Sequence, residues 1–360
     1  MKILLVTGHP AQVHNFKYLK SDLEARGHQV FWLATDKDIS KYLLDYYKID
    51  YTVISRPGKS HFSKLRTLIK NTWFTKKFIR KNKIDLAFSR VSPYVALACF
   101  LLHKTHFALT DTESAALYDK FFGRFVSVLF TSKSFKRTLR KDQVWFDANI
   151  ELFYLHPNKF KPLENVDNIL NIKRDEPYII LRFVSWDAYH DKGLTGFTDI
   201  NKLKAVTVFS KYAKVFISSE KELPAELAPF QIKIPPERMH DVLAHALLFF
   251  GESATMASES AVLGTPAIFL DKVGRGYTDH EAKFELVYNF GNSLESQEKA
   301  INKGLELIQD QGLKNKMYHN HKRFMKDKID VTAFMVWFIE NYPESDRIMQ
   351  ENPDYQYRFK

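Results

Sequence analysis

The chain has 360 residues and a mass of 42.1 kDa, beyond the size at which a single hydrophobic core usually keeps growing, so two domains are expected. A hydrophobic content of 45% with 14% aromatics excludes a disordered chain. A formal net charge of +11 and a pI near 9.3 suit an anionic partner, without choosing among nucleotide, nucleic acid and acidic lipid.

Taken in order, Lys2 and the strand-like Ile3-Leu-Leu-Val6 run straight into Thr7-Gly-His-Pro10, an apolar stretch too short for a signal peptide. The longest apolar runs elsewhere, Val95 to Leu102 and Ala246 to Phe250, fall well below the roughly 20 residues of a membrane span. The single cysteine, Cys99, lies in the first of these runs; it reads as a small buried hydrophobe and fits a reducing cytoplasm. A cytoplasmic protein is therefore expected, soluble or at most lying on the inner face of a membrane. An amphipathic helix from about His14 to Arg26, a Gly27 cap and a strand at Gln29 to Ala34 complete the opening of a Rossmann-like half. The loop Gly8-His-Pro-Ala-Gln-Val-His-Asn-Phe16 lacks GxGxxG, which removes the best support for a dinucleotide dehydrogenase.

A strand at Asp50 to Ile54 precedes a stretch, Arg56 to Lys83, that holds ten lysines and arginines and no acid, with Leu65, Leu68, Ile69, Trp73, Phe74 and Phe78 interleaved. Two readings stand. It is a surface that meets anionic lipid headgroups, or a helix whose apolar stripe packs on a sheet while its basic face is solvated. Nucleic-acid binding lacks any accompanying motif. Strands follow at Ile84 to Ser89 and Thr105 to Thr110, with a helix opening at Ser92-Pro93 between them. The second of these strands ends in Asp111-Thr112-Glu113-Ser114, acids that face the same crevice as the loop after the first strand. A strand from Phe125 to Thr131 and a basic helical turn from Ser134 to Lys141 lead to Tyr154-Leu-His-Pro-Asn-Lys-Phe-Lys-Pro162, whose two prolines mark a crossing between domains.

The second half begins with a strand at Tyr178 to Phe183. A helix near Asn201 to Tyr212, strands at Val215 to Ser218 and Ile232 to Ile234, and a helix from Pro236 to Ala246 follow. Then comes Leu247-Leu-Phe-Phe-Gly251-Glu-Ser-Ala-Thr-Met-Ala-Ser-Glu259-Ser-Ala-Val-Leu-Gly264-Thr-Pro266-Ala-Ile-Phe-Leu270, a strand, a helix ended by Gly264 and Pro266, and a second strand. This βαβ unit puts Glu252, Ser253, Ala254 and Thr255 at a helix N-terminus, where exposed N–H groups and the helix dipole favour an anion such as a diphosphate. Glu259, one turn in, carries a carboxylate able to accept two hydroxyl hydrogen bonds from a ribose. After Leu270 the pattern is helical, through Glu295 to Gln309, Lys314 to Lys326 and Val331 to Tyr342.

The Gly251 to Pro266 stretch resembles the donor-domain signature of GT-B-type sugar-nucleotide enzymes, among them the peptidoglycan glycosyltransferase MurG and the UDP-N-acetylglucosamine 2-epimerases. A prokaryotic family of GT-B-like proteins without a settled activity is more similar still, sharing Ile217-Ser-Ser-Glu220, Met239-His240 and Tyr154-Leu-His-Pro157. The resemblance implies an α/β fold of GT-B architecture, two Rossmann-like parallel-sheet domains facing each other across a cleft. Residues 1–157 would form the acceptor domain and 158–330 the nucleotide-sugar donor domain. In 331–360, the helix at about 331–342 would return to dock on the first domain.

Its implied chemistry is metal-independent transfer of a sugar from a nucleoside-diphosphate sugar, UDP-linked, to a glycan or lipid-linked acceptor hydroxyl in polysaccharide synthesis. The sugar nucleotide is then a substrate and no cofactor is needed. Pro10-Ala-Gln-Val-His14 resembles the loop of inverting GT-B enzymes in which a histidine deprotonates the acceptor. Imidazole, with an ordinary pKa near 6.5, suits that role, and a positioned base contributes about 10²- to 10⁴-fold. Asp111 or Glu113 would orient it. On the donor side, Arg182 would neutralise diphosphate charge and His190 would donate to it, with Ser185, Ser253, Ala254 and Thr255 in the same site, while Ser219 and Glu220 would line the crevice. His240 would lie near the nucleotide base and Glu259 would hold the ribose, with Gly251 and Met256 in the same donor site. Asp111-Thr-Glu113 has DxD spacing, but nothing nearby completes an octahedral shell, and zinc spacing is absent.

Two rivals remain open. A hydrolysing UDP-N-acetylhexosamine 2-epimerase would use Asp111, Glu113 and His190 around the sugar, although the HxEAG stretch of those enzymes is replaced here by Leu109-Thr-Asp-Thr-Glu-Ser-Ala115. A catalytically silent nucleotide-binding or membrane-surface protein would bind without turnover.

Overall fold

The computed structural model describes every residue except 57–59, 112, 114–115, 184–195, 220–221 and 273, and at 61 and 116–118 the backbone alone. The chain divides into two compact units, Met1–Lys159 with Asp327–Lys360, and Phe160–Lys326.

In unit 1 the elements run β1 (Lys2–Thr7), α1 (Pro10–Ala25), β2 (Gln29–Thr35), α2 (Asp38–Tyr46), β3 (Thr52–Ile54), α3 (His61–Asn82), β4 (Leu86–Arg90), α4 (Pro93–Leu102), β5 (Thr105–Thr110), α5 (Ala116–Phe122), β6 (Val128–Ser132), β7 (Val144–Phe146) and α6 (Leu152–Leu155). The strands form one parallel sheet in the order β3-β2-β1-β4-β5-β6-β7. A parallel sheet needs helices on both faces, and the pleat sorts the side chains accordingly. On one face Leu4, Val6, Leu33 and Ala87 pack with Ile79 of α3 and Val95, Ala98 and Cys99 of α4. Burial there pushes the Cys99 thiol up to about 12, so it stays protonated at neutral pH. On the other face Phe88, Phe107 and Phe130 meet Phe16 of α1 and Phe153 of α6.

Unit 2 runs α7 (Asp167–Leu170), β8 (Tyr178–Arg182), α8 (Asp199–Phe209), β9 (Lys214–Ser218), α9 (Met239–His245), β10 (Leu248–Gly251), α10 (Ala254–Leu263), β11 (Ala267–Leu270), α11 (Gly276–Ala282), β12 (Val287–Phe290), α12 (Leu294–Gln309) and α13 (Leu313–Met325). Its five strands are parallel in the order β12-β11-β10-β8-β9. The chain then re-enters unit 1 as α14 (Val331–Glu340) and α15 (Glu344–Glu351). Phe338 of α14 completes the aromatic face, 4.8 Å from the Phe130 ring and 5.4 Å from Phe107. Thr332 donates to the Phe153 carbonyl at 2.8 Å.

Several elements differ from the sequence reading. The first helix starts at Pro10, with His9 as its cap accepting from the Ala11 N–H, so His14 sits in the helix and not in the loop. The expected strand at Ile232–Ile234 is reduced to a bridge between Ile217 and Gln231, because β9 ends at Ser218, one residue beyond that bridge. Ser134–Lys141 is irregular. Gln143 takes the N–H groups of Leu139 and Arg140, and the Arg140 guanidinium binds the carbonyls of Gly123 and Val126, so side chains replace the helical bonds. Short elements without a clear period, among them α2, β7 and β12, are not legible in the sequence.

Candidate functional site

In unit 2 the chain leaves β8 toward β9 on one side and returns to place β10 on the other, so β8 and β10 flank a topological switch point. Open α/β sheets bind ligands at the carboxyl ends of such strands. The register brings three expected features level, since Arg182 pairs with Gly251 on one side and with Ser218 on the other. Only glycine fits at 251, because a Cβ there would lie 2.1 Å from the Arg182 carbonyl oxygen. That oxygen accepts the Glu252 N–H at 2.8 Å, and the Arg182 Nη1 donates to Ser218 Oγ at 3.3 Å.

Directly above this edge α10 begins. Ser253 is its cap, with Oγ accepting the Met256 N–H at 3.3 Å, and Gly264 closes the helix at φ +89°. Ala254, Thr255 and Met256 form the half-buried first turn, whose N–H groups point along the axis toward the switch point. The Glu252 carboxylate accepts the Phe197 N–H at 2.7 Å, holding the chain that leads into α8.

Behind the first turn lies a pair the sequence had put in separate motifs. His240 Nε2 and Glu259 Oε1 are 2.9 Å apart, and the two residues are 4% and 5% exposed. The His240 ring also stands edge-on to Phe160, 6.1 Å away. Asp241, beside it, accepts the Leu163 N–H at 3.0 Å, which fixes the start of unit 2 against α9. Ser219, half-buried, follows β9; Ser185, His190 and Glu220 lie outside the described residues.

Unit 1 has its own switch point between β1 and β4. A cavity of about 500 Å³ opens there, lined by Gly8, Gln12, Thr35, Lys37, Arg56 and Arg90 among others. Gln12 Oε1 accepts the Gly8 N–H at 2.6 Å and so shapes the loop after β1. Arg90 was missed by the sequence reading, although a cation at the end of an apolar strand was signal enough to single out Arg182. It donates to Asp111, and Thr110 beside it donates to Asp119. Burial raises the Asp119 carboxyl above the ordinary carboxylate range, with Thr110 and Arg90 opposing that shift. Glu113 is buried just beyond β5. His14 is 7% exposed in the second turn of α1, its ring 5.5 Å from that of Tyr154 and 6.0 Å from that of Tyr47. Among the described residues no group of three or more His, Cys, Asp or Glu side chains is arranged to hold a metal ion.

No protein-family model matches the chain, and no curated protein matches it. Solved structures do. UDP-GlcNAc 2-epimerase from Neisseria meningitidis bound to UDP-GlcNAc aligns with a TM-score of 0.70 at 14% identity, over 95% of this chain and 100% of that one. MnaA of S. aureus, solved with UDP, aligns at 0.70 and 13% identity over 96% and 97%. MurG from Acinetobacter baumannii aligns at 0.56 and 16% identity over 94% and 99%. The chain thus has the GT-B fold, built from two Rossmann-like parallel-sheet units, and its structural neighbours are UDP-GlcNAc 2-epimerases, MurG and other GT-B glycosyltransferases.

Proposed function

We propose that the protein is an enzyme that binds a UDP-sugar through unit 2 and transfers the sugar to an acceptor hydroxyl, with His14 of unit 1 as the base. The observation that carries the donor half is the edge where Arg182, Gly251 and the first turn of α10 meet above the His240–Glu259 pair. In this reading the Ala254 and Thr255 N–H groups and the Ser253 hydroxyl bind the diphosphate, and Arg182 neutralises its charge as UDP departs. His240 fixes one oxygen of Glu259, so the carboxylate is presented to the ribose hydroxyls in one orientation. The acceptor oxygen attacks the anomeric carbon, His14 takes the hydroxyl proton, and the bond from that carbon to the diphosphate breaks. Burial of His14 between Tyr47 and Tyr154 holds the ring in place for that transfer. Arg90 and Asp111 are assigned to positioning the acceptor.

A second reading is a hydrolysing 2-epimerase. Structural neighbours named as UDP-GlcNAc 2-epimerases support it, as those named MurG and glycosyltransferase support transfer. Titration of UDP and UDP-sugars against the protein tests the shared donor site. A melting-temperature rise lost in Glu259→Gln is expected, whereas no rise with any nucleotide overturns the assignment. Product analysis separates the readings. Acceptor-dependent release of UDP, abolished in His14→Ala, supports transfer; acceptor-independent release of UDP with a free 2-epimeric hexosamine supports epimerisation.

A further inference from the structure

Helix α3 is fixed to unit 1 by one face only. Asn71 and Thr75 are buried, Phe74, Phe78 and Ile79 enter the core beside β1 and β4, and Asn71 Nδ2 donates to the Ser55 carbonyl at 2.8 Å. Phe62, Leu65, Ile69 and Trp73 are left 79%, 56%, 64% and 64% exposed. Their spacing of three, four and four residues puts them in one stripe along the helix. Scattered exposed apolar side chains need no explanation, but an aligned set of this size does. Along the same face the stripe passes into a shallow cleft of about 430 Å³ lined by Trp73, Lys76, Lys77, Arg80 and Lys81, with the Lys77 ammonium 5.5 Å from the centre of the Trp73 ring.

We infer that α3 is a membrane-surface helix, lying in the plane of an anionic bilayer with Phe62, Leu65, Ile69 and Trp73 at the acyl boundary. The basic cleft then receives lipid phosphates. Charge complementarity selects this occupant. The stretch from Arg56 to Lys83 holds ten basic residues and no acid, so two copies facing each other through it would repel. A nucleic acid would satisfy the lysines but would leave Leu65 and Ile69, which carry no stacking face, against a polar backbone. A bilayer interface satisfies both, with long basic side chains reaching phosphates while the apolar row sinks between them. No helix among the described residues is long and apolar enough to cross a membrane, so the contact is one of lying on the surface.

The test is sedimentation of the full chain with phosphatidylcholine vesicles with and without phosphatidylglycerol, alongside Ile69→Ser/Trp73→Ser and Lys76→Gln/Lys77→Gln double variants. Ile69, Trp73 and Lys77 are exposed and Lys76 is half-buried, and circular dichroism verifies that the fold is retained. Binding is expected only to the anionic vesicles. Either double variant should lower it by about tenfold, and added salt should weaken the lysine-dependent part. Equal sedimentation with both vesicle types, none with either, or variants that bind like the parent would each overturn the inference. So would a parent dimer that dissociates in Ile69→Ser/Trp73→Ser, which would make the stripe a self-association surface.

Discussion

Gly251→Ala probes the tightest point of the proposed donor edge. The added Cβ would fall 2.1 Å from the Arg182 carbonyl oxygen, and real Cβ atoms essentially never come within 3.0 Å of another atom. Strands β8 and β10 must therefore part by about 0.9 Å at this position, taking their ends out of register-level contact. The bond from the Glu252 N–H to the same oxygen, 2.8 Å long, would stretch beyond bonding range. Losing it costs about 1 kcal/mol, and overpacking adds about 1–3 kcal/mol. The expected loss of about 2–4 kcal/mol corresponds, for a unit of this size, to a fall of about 5–12 °C in the melting temperature of unit 2, readable by calorimetry. The same change should weaken UDP binding, because it displaces Arg182. Gly8→Ala is the control. Its new Cβ would meet nothing nearer than Thr35 Oγ1 at 3.7 Å, an ordinary contact, so a change within about 0.5 kcal/mol is expected. If Gly251→Ala is as mild as Gly8→Ala, the close approach of the two strands is not what requires glycine, and the reasoning fails.

Acid sensitivity should trace in part to His106. Burial pushes its imidazole down from 6.5 to about 3, so the folded chain keeps it neutral while the unfolded chain protonates it below 6.5. Its contribution is fully present above pH 6.5 and shrinks as pH falls toward 3, by about 1.4 kcal/mol per pH unit. In urea titrations between pH 7 and 5, His106→Leu should show a shallower pH slope than the parent, at a neutral-pH cost of about 1 kcal/mol for the lost 2.9 Å contact with Ser89; an unchanged slope would refute the assignment. Phe338→Ala should destabilise unit 1 by about 3–5 kcal/mol, since it empties a fully buried site between Phe107 and Phe130. Calorimetry would show the reason to be wrong if the loss stayed below about 1 kcal/mol.

Much of this protein is local and was legible in the chain. Leu248–Gly251, α10 and Ala267–Leu270 announce themselves because an apolar run, a small-residue helix with a Ser253 cap, and Gly264 as terminator each follow from short-range sterics and hydrogen bonding. The amphipathic, acid-free character of α3 was equally plain, but whether its apolar residues face the sheet or the solvent was not. Packing split them, taking Phe74, Phe78 and Ile79 inward and leaving Phe62, Leu65, Ile69 and Trp73 out. Tertiary structure alone decided which distant residues meet. His240 and Glu259 are 19 positions apart and bond only because α9 and α10 pack side by side. Arg182 reaches Gly251 and Ser218 only through strand order, which no local pattern encodes. Gly251 itself could be read in the sequence as the end of a strand; that it must be glycine depends on a carbonyl oxygen contributed from 69 residues earlier, by a neighbouring strand whose identity only the folded sheet fixes.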